Sequence, residues 1–215
     1  MKLLVLCLAN PVKPFVQPQT MNSLFNLEWS QPFDLVIARE DTNQVPDLTG
    51  KLLSITAKAN RGRDILLSGG YDAMLLVEAD NILPPDTLKK LTKVDADICY
   101  GLYCQRPNRR HRWMMRIGED IHVKEYPEKF MRQCWNKVVP SDGLGFGCTL
   151  IHRRVLEAIQ FNCKAELGPD YHMAKAARAA GFKQATDCSV HVGHIIGPYE
   201  AVWPDPERTF RIRKI

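Results

Sequence analysis

Residues 71–88 read YDAMLLVEADNILPPDTL. The segment opens on an apolar run, Ala73-Met74-Leu75-Leu76-Val77, directly after Gly69-Gly70-Tyr71-Asp72. The run is short and lacks polar alternation, the pattern of a strand covered on both faces in a parallel sheet. Glu78, Asp80 and Asn81 follow where that strand should end, and Pro84-Pro85-Asp86 then opens a helix. Two carboxylates therefore sit at the carboxyl end of a buried strand, the edge where open α/β sheets bind ligands. Strand side chains repeat every second residue, so Glu78 and Asp80 are expected to point the same way. Paired carboxylates repel unless a proton or cation joins them. A hard divalent cation, Mg²⁺ or Mn²⁺, with substrate phosphates completing its shell, suits that pair. The plainer alternative is local capping, with Glu78 and Asp80 bound to backbone amides of the turn.

With these residues in view, 58–91 resembles the centre of a GT-A-type glycosyltransferase of the family 2 kind. The resemblance rests on Asn60-Arg61-Gly62, the apolar run 73–77, Glu78-Ala79-Asp80 as the D-x-D-type acidic motif, and Pro84-Pro85 before a helix. The first acidic position is Glu where the family has Asp. The resemblance implies one α/β domain with a GT-A (Rossmann-like), mostly parallel central sheet flanked by helices. Residues 1–198 would form this domain, with 1–103 as the nucleotide-binding half and 104–198 as the acceptor and catalytic half; 199–215 would be a basic tail. It further implies a nucleotide-diphosphate sugar donor, UDP-linked, and transfer to an acceptor hydroxyl, with inversion if the base lies opposite the leaving group. Asn10, Asp41, Asn60, Arg61, Glu78, Asp80 and Gly145 would contact the donor. Asp80, Glu78 and His194 would hold the metal.

The remaining chain fits this frame. Residues 3–9 and 33–38 read as strands, and 20–27 as a helix capped by Thr20, a strand–helix–strand order that favours a parallel βαβ unit. Residues 48–68 read as helical, with a break near 60–62. No G-x-x-x-x-G-K motif occurs, and no G-x-G-x-x-G follows the first strand. Nucleotidyltransferases of related fold carry a G-x-G-x-R-type loop at that point, which Asn10-Pro11-Val12-Lys13 does not match. Residues 96–103 read as a strand, and periodicity fades over 104–140. Gly143, Gly145 and Gly147 alternate, leaving one face of an extended segment bare for a sugar ring or for packed backbone. Pro169 starts a helix that Gly181 ends. Asp170 in its first turn is either a helix-dipole cap or, as the resemblance implies, the base that activates the acceptor, with Glu166 the second candidate. His191 and His194 are three apart, so on a strand they face opposite ways; His194 is the one expected at the site.

Charge and cysteine content bound the partners. The 215 residues carry a net charge of +5, concentrated in Arg106, Arg109, Arg110, Arg112 and Arg116 and in Arg208, Arg211, Arg213 and Lys214. Such clusters are either solvated faces or contacts for an anionic acceptor, which points to Arg109, Arg110 and Trp113. A nucleic-acid-binding module, or transfer of sugar to a modified base in DNA or RNA, is the alternative function. Seven cysteines, an odd number without a C-x-x-C pair, behave as small hydrophobes in a reducing, cytoplasmic setting. No apolar run reaches the length of a membrane span.

Overall fold

The computed structural model describes residues 1–9, 16–39, 48–105, 113–118, 126–143, 145–164 and 167–215. The first half of the chain builds β1 (Leu3–Leu8), α1 (Pro18–Phe25), β2 (Asp34–Ala38), α2 (Leu48–Gly69), β3 (Ala73–Glu78), β4 (Asn81–Ile82), α3 (Thr87–Leu91) and β5 (Ile98–Leu102). The second half builds α4 (Glu128–Cys134), β6 (Val138–Pro140), β7 (Cys148–His152), α5 (Arg153–Ala158), α6 (Pro169–Ala179), β8 (Gln184–His191), β9 (Gly193–Gly197), β10 (Glu200–Asp205) and β11 (Thr209–Lys214).

Among the described residues the central sheet runs β2-β1-β3-β7-β5-β8-β6. β2, β1 and β3 pair in parallel, as do β5 and β8, whereas β7 and β6 run antiparallel to their neighbours. Strand β1 lies between two parallel partners, and all six of its residues are buried. The apolar run that opens β3 is buried throughout, as its lack of alternation requires. Helix α2 crosses from β2 to β3 and seats Ala59, Gly62 and Leu66 on the sheet.

Several expectations change here. Helix α2 is continuous through 60–62. Gly62 interrupts nothing because it is a contact point: a Cβ there would overlap the Leu6 side chain, with Met74 Sδ at 3.1 Å. Gly62→Ala gains about 1 kcal/mol in helix propensity but forces a fully buried leucine to shift, at about 1–3 kcal/mol. A net loss of stability in urea unfolding is therefore expected; a gain would mean that the sheet yields at Leu6. Helix α1 begins at Pro18, with Pro in the first turn and Thr20 buried inside rather than capping. The segment after residue 198 is not a tail. β10 and β11 pair as a hairpin and join β9 and β4 in a second, antiparallel sheet of order β11-β10-β9-β4. Its turn is held by Asp205, whose carboxylate accepts the N–H groups of Glu207 and Arg208 at 2.9 and 3.1 Å. Among the described residues no helix is long and apolar enough to cross a membrane.

Candidate active site at the carboxyl edge of the central sheet

β1 and β3 end level with one another, with Leu8 opposite Glu78. β3 stops at Glu78; Ala79 and Asp80 form a turn, and β4 begins at Asn81. Strand alternation therefore does not relate Glu78 to Asp80. Asp80 is placed instead by the second sheet. Its carbonyl accepts the Ile195 N–H at 2.8 Å, and Asn81 pairs with His194 across β4 and β9. The Ala79 carbonyl accepts the Gln17 N–H at 2.9 Å, fixing the turn from the other side.

This construction sets Asp80 Oδ1 3.7 Å from His194 Nε2, with both side chains largely buried. His194 Nδ1 lies 2.9 Å from the Cys104 carbonyl, which can only accept. In the neutral ring the proton is therefore on Nδ1, and the Nε2 lone pair faces a carboxylate. A metal-bound histidine characteristically donates its other ring N–H to a carbonyl or carboxylate, as here. With bonds of about 2.0–2.2 Å, two ligands of one ion lie roughly 3–4 Å apart, and 3.7 Å falls in that span. The pair thus fits a divalent ion. Among the described residues no three His, Cys, Asp or Glu side chains converge on one point, so Glu78 does not complete a preassembled triad. Glu78 and Asp80 do both act on Cys7 beside them. Burial first, then these two carboxylates, push its thiol up to about 12.

Tyr103, just beyond β5, is the centre of the other half of the site. It is buried, stands edge-on to His194 at 5.9 Å, and its hydroxyl accepts the Gly147 N–H at 3.3 Å. Burial first, then the Glu78 and Asp170 carboxylates, push its phenol well above its usual range. The hydroxyl therefore keeps its proton. The bare face of 143–147 is not open to a sugar at Gly145 or Gly147. A Cβ on Gly145 would strike the Tyr103 hydroxyl, and one on Gly147 would strike Tyr103 and the Asn81 amide. Asn81 is fully buried, and neither its Oδ1 nor its Nδ2 has a hydrogen-bond partner among the described residues.

Asp170 lies in the first turn of α6, behind Pro169. Its Oδ2 is 3.6 Å from Arg116 Nη2, and both side chains are mostly buried. Arg116 is fixed by its backbone, which donates to Gly143 at 3.0 Å and accepts from Asp142 at 2.8 Å. Its guanidinium also stands 5.6 Å from the Tyr171 ring centre, while Nε and Nη1 are buried without partners among the described residues. Buried polar atoms left unpaired in a native fold call for a water, a ligand or a functional explanation. Four of them, on Asn81 and Arg116, flank the Tyr103 region.

Other anticipated residues lie elsewhere. The Asn60 side chain exchanges two 3.0 Å hydrogen bonds with the Phe161 backbone, so it ties α2 to the segment after α5 and does not face a donor. Arg61 is exposed. Lys58 is the α2 cation at the sheet's carboxyl edge: it is 2% exposed and donates to the Ala9 carbonyl at 2.9 Å. Trp113 is a core residue, 1% exposed, with its indole N–H on the Thr209 carbonyl at 2.7 Å, so no acceptor can reach it. Asn10, Asp41, Glu166, Arg109 and Arg110 lie outside the described residues. Tyr103, Asn81 and Arg116 are the residues that sequence reasoning did not single out; Arg116 stood only as the last member of the arginine cluster.

No family model matches the chain, and no curated protein matches it. Among solved structures, A197 from STIV aligns with all of this chain and 95% of its own, at TM-score 0.65 and 14% identity. GalNAc-T7, solved with UDP, GalNAc and Mn²⁺, aligns with 91% of this chain at TM-score 0.56 and 11% identity. S. aureus TarS 1-349, solved with UDP-GlcNAc, aligns with 88% at TM-score 0.50 and 12% identity. The chain spans 44% and 56% of these last two. Strand order and these likenesses together give the chain a single-domain α/β fold similar to those of A197, GalNAc-T7 and TarS.

Proposed function

We propose that the protein is a glycosyltransferase that moves a sugar from a nucleotide-diphosphate sugar to an acceptor hydroxyl. The observation that carries this reading is the Asp80–His194 pair, 3.7 Å apart at the sheet's carboxyl edge beside Glu78, with His194 Nδ1 on the Cys104 carbonyl, a geometry that suits two ligands of one ion. Asp80 and His194 would hold one Mn²⁺ or Mg²⁺, with water and diphosphate oxygens as its further ligands. When bound, such an ion neutralises the charge of a diphosphate leaving group. Lys58, buried at the end of β1, adds fixed positive charge to the same edge. Asp170 would take the acceptor's proton, with Arg116, 3.6 Å from its carboxylate, orienting it.

Thermal unfolding tests the reading directly. A ligand at 100 times its Kd adds about 2.7 kcal/mol to stability, which for a chain of this size raises Tm by about 5–10 °C. UDP or a UDP-sugar should give that shift with Mn²⁺ and lose most of it in EDTA. A panel of nucleotide diphosphates and nucleotide sugars that leaves Tm unchanged, with or without Mn²⁺, overturns the proposal.

A further inference from the structure

A concave site lies on the reverse face of the small sheet. Adjacent residues on a strand face opposite ways. His194 and Val202 pair across β9 and β10 toward the candidate active site, whereas Gly193 and Trp203 turn the other way. There Trp203, Arg211 and Arg213 from the β10–β11 hairpin meet Trp135, His191 and Lys90 around a groove of about 510 Å³.

Both walls of the groove are built in layers. On one wall the His191 ring stacks on Trp135 at 3.9 Å and 13°, and Trp135 in turn packs on Trp113 at 5.9 Å. On the other wall Trp203 lies flat on the backbone of Gly193, where any Cβ would strike the indole. The Arg213 guanidinium covers Trp203 at 5.4 Å from the ring centre. Lys90 is engaged by Asp86 at 2.9 Å, and Arg211 by Asp205 at 2.7 Å. Arg213 has no carboxylate within ion-pair distance among the described residues, and Arg208 and Lys214 add charge along the same exposed edge. Burial first, with Lys90 and Arg213 adding to it, lowers the His191 pKa, so the stacked ring stays neutral at physiological pH.

We propose that this groove binds single-stranded nucleic acid, a base stacking on the His191 and Trp203–Arg213 layers while phosphates meet Arg213, Arg211 and Lys90. Flat π and guanidinium surfaces accept any base, and the cations follow the backbone. A neutral glycan fits less well, because the groove's walls are mainly flat rings and cations, with Glu207 the exposed carboxylate among its lining residues. The groove's buried carboxylate, Asp205, already accepts from Glu207, Arg208 and Arg211. The site is separate from the nucleotide-sugar site and does not depend on that reading.

Fluorescence anisotropy of a fluorescein-labelled 12-mer of deoxythymidine at 50 mM NaCl is the test. Trp203→Ala should weaken binding by about 5- to 100-fold. Arg213→Glu should weaken it and reduce the salt slope by about one. An abasic 12-mer with the same phosphates should bind at least about 10-fold more weakly, since only stacking distinguishes it. The UDP and Mn²⁺ thermal shift is measured on the same proteins and should be unchanged in both variants. Arg213 is exposed, so its variant decides the matter even if Trp203→Ala fails to fold. The proposal is overturned if the 12-mer does not bind, if the abasic strand binds equally well, if folded Arg213→Glu binds as wild type does, or if an acidic oligosaccharide binds more tightly than the 12-mer.

Discussion

Replacing Asp80 by alanine is expected to remove most of the Mn²⁺-dependent thermal shift produced by a nucleotide sugar, while the protein stays folded. The fold should survive because the backbone of residue 80, not its side chain, carries the link to β9: the Ile195 N–H donates to the Asp80 carbonyl, which alanine retains. The ligand effect should be large because Asp80 is one of the two side chains, 3.7 Å apart, proposed to hold the ion. Losing even an outer-shell partner costs about 10- to 100-fold in metal affinity, so losing a direct ligand should exceed that. At a nucleotide concentration of 100 times Kd, a 100-fold weaker complex retains only about 0.4 kcal/mol of the original 2.7. The shift should thus fall from about 5–10 °C to about 1–2 °C. Glu78→Ala should show a smaller loss, since among the described residues Glu78 borders the site without joining a three-residue cluster. A folded Asp80→Ala protein with an undiminished Mn²⁺-dependent shift would remove Asp80 from the metal site.

The parts of this molecule that were legible in its sequence are those set by local physics. The run 73–77 declares a doubly covered strand because burial on both faces removes polar alternation. Pro169 marks the start of α6 because its missing N–H is harmless only in the first turn. The strand's end was not legible to the residue. Whether Asp80 continues β3 or turns away depends on β4 pairing with β9, contributed from far along the chain. That same pairing brings His194 to Asp80. The glycines at 145 and 147 signalled a close approach, but only the fold reveals that Tyr103 and Asn81 fill it. Arg116 looked like one charge in a basic run; Gly143, Asp142 and Asp170, all distant in sequence, make it a buried partner of the candidate base. The hairpin β10–β11 was hidden for a different reason. Its prolines and arginines suggest a loop, and Pro204 is tolerated in a strand only because of its position in the ladder.

Asp170→Asn is expected to lower turnover by about 10²–10⁴-fold, the usual contribution of a positioned general base. The substitution preserves shape and one acceptor oxygen, so helix α6 should still start at Pro169. It removes a charge from beside Arg116, whose guanidinium sits 3.6 Å away with two nitrogens already unpaired. Leaving a charged group less well paired costs about 1–3 kcal/mol. The long contact and the amide oxygen that remains place this variant at the lower end, or about 2–4 °C in Tm. Nucleotide-sugar affinity should barely move, because Asp80, His194 and Lys58 are untouched. The two roles open to Asp170 therefore separate cleanly. A base gives a large loss of kcat with a small change in Tm. A structural counter-ion gives a large fall in Tm with turnover per folded molecule preserved. Arg116→Lys completes the comparison. It keeps the charge but not the planar guanidinium, so if Arg116 orients the base, kcat falls by a smaller factor than in Asp170→Asn while KM for the donor holds. If Asp170→Asn retains wild-type turnover, the assignment passes to Glu166, and Glu166→Gln becomes the variant that must lose activity.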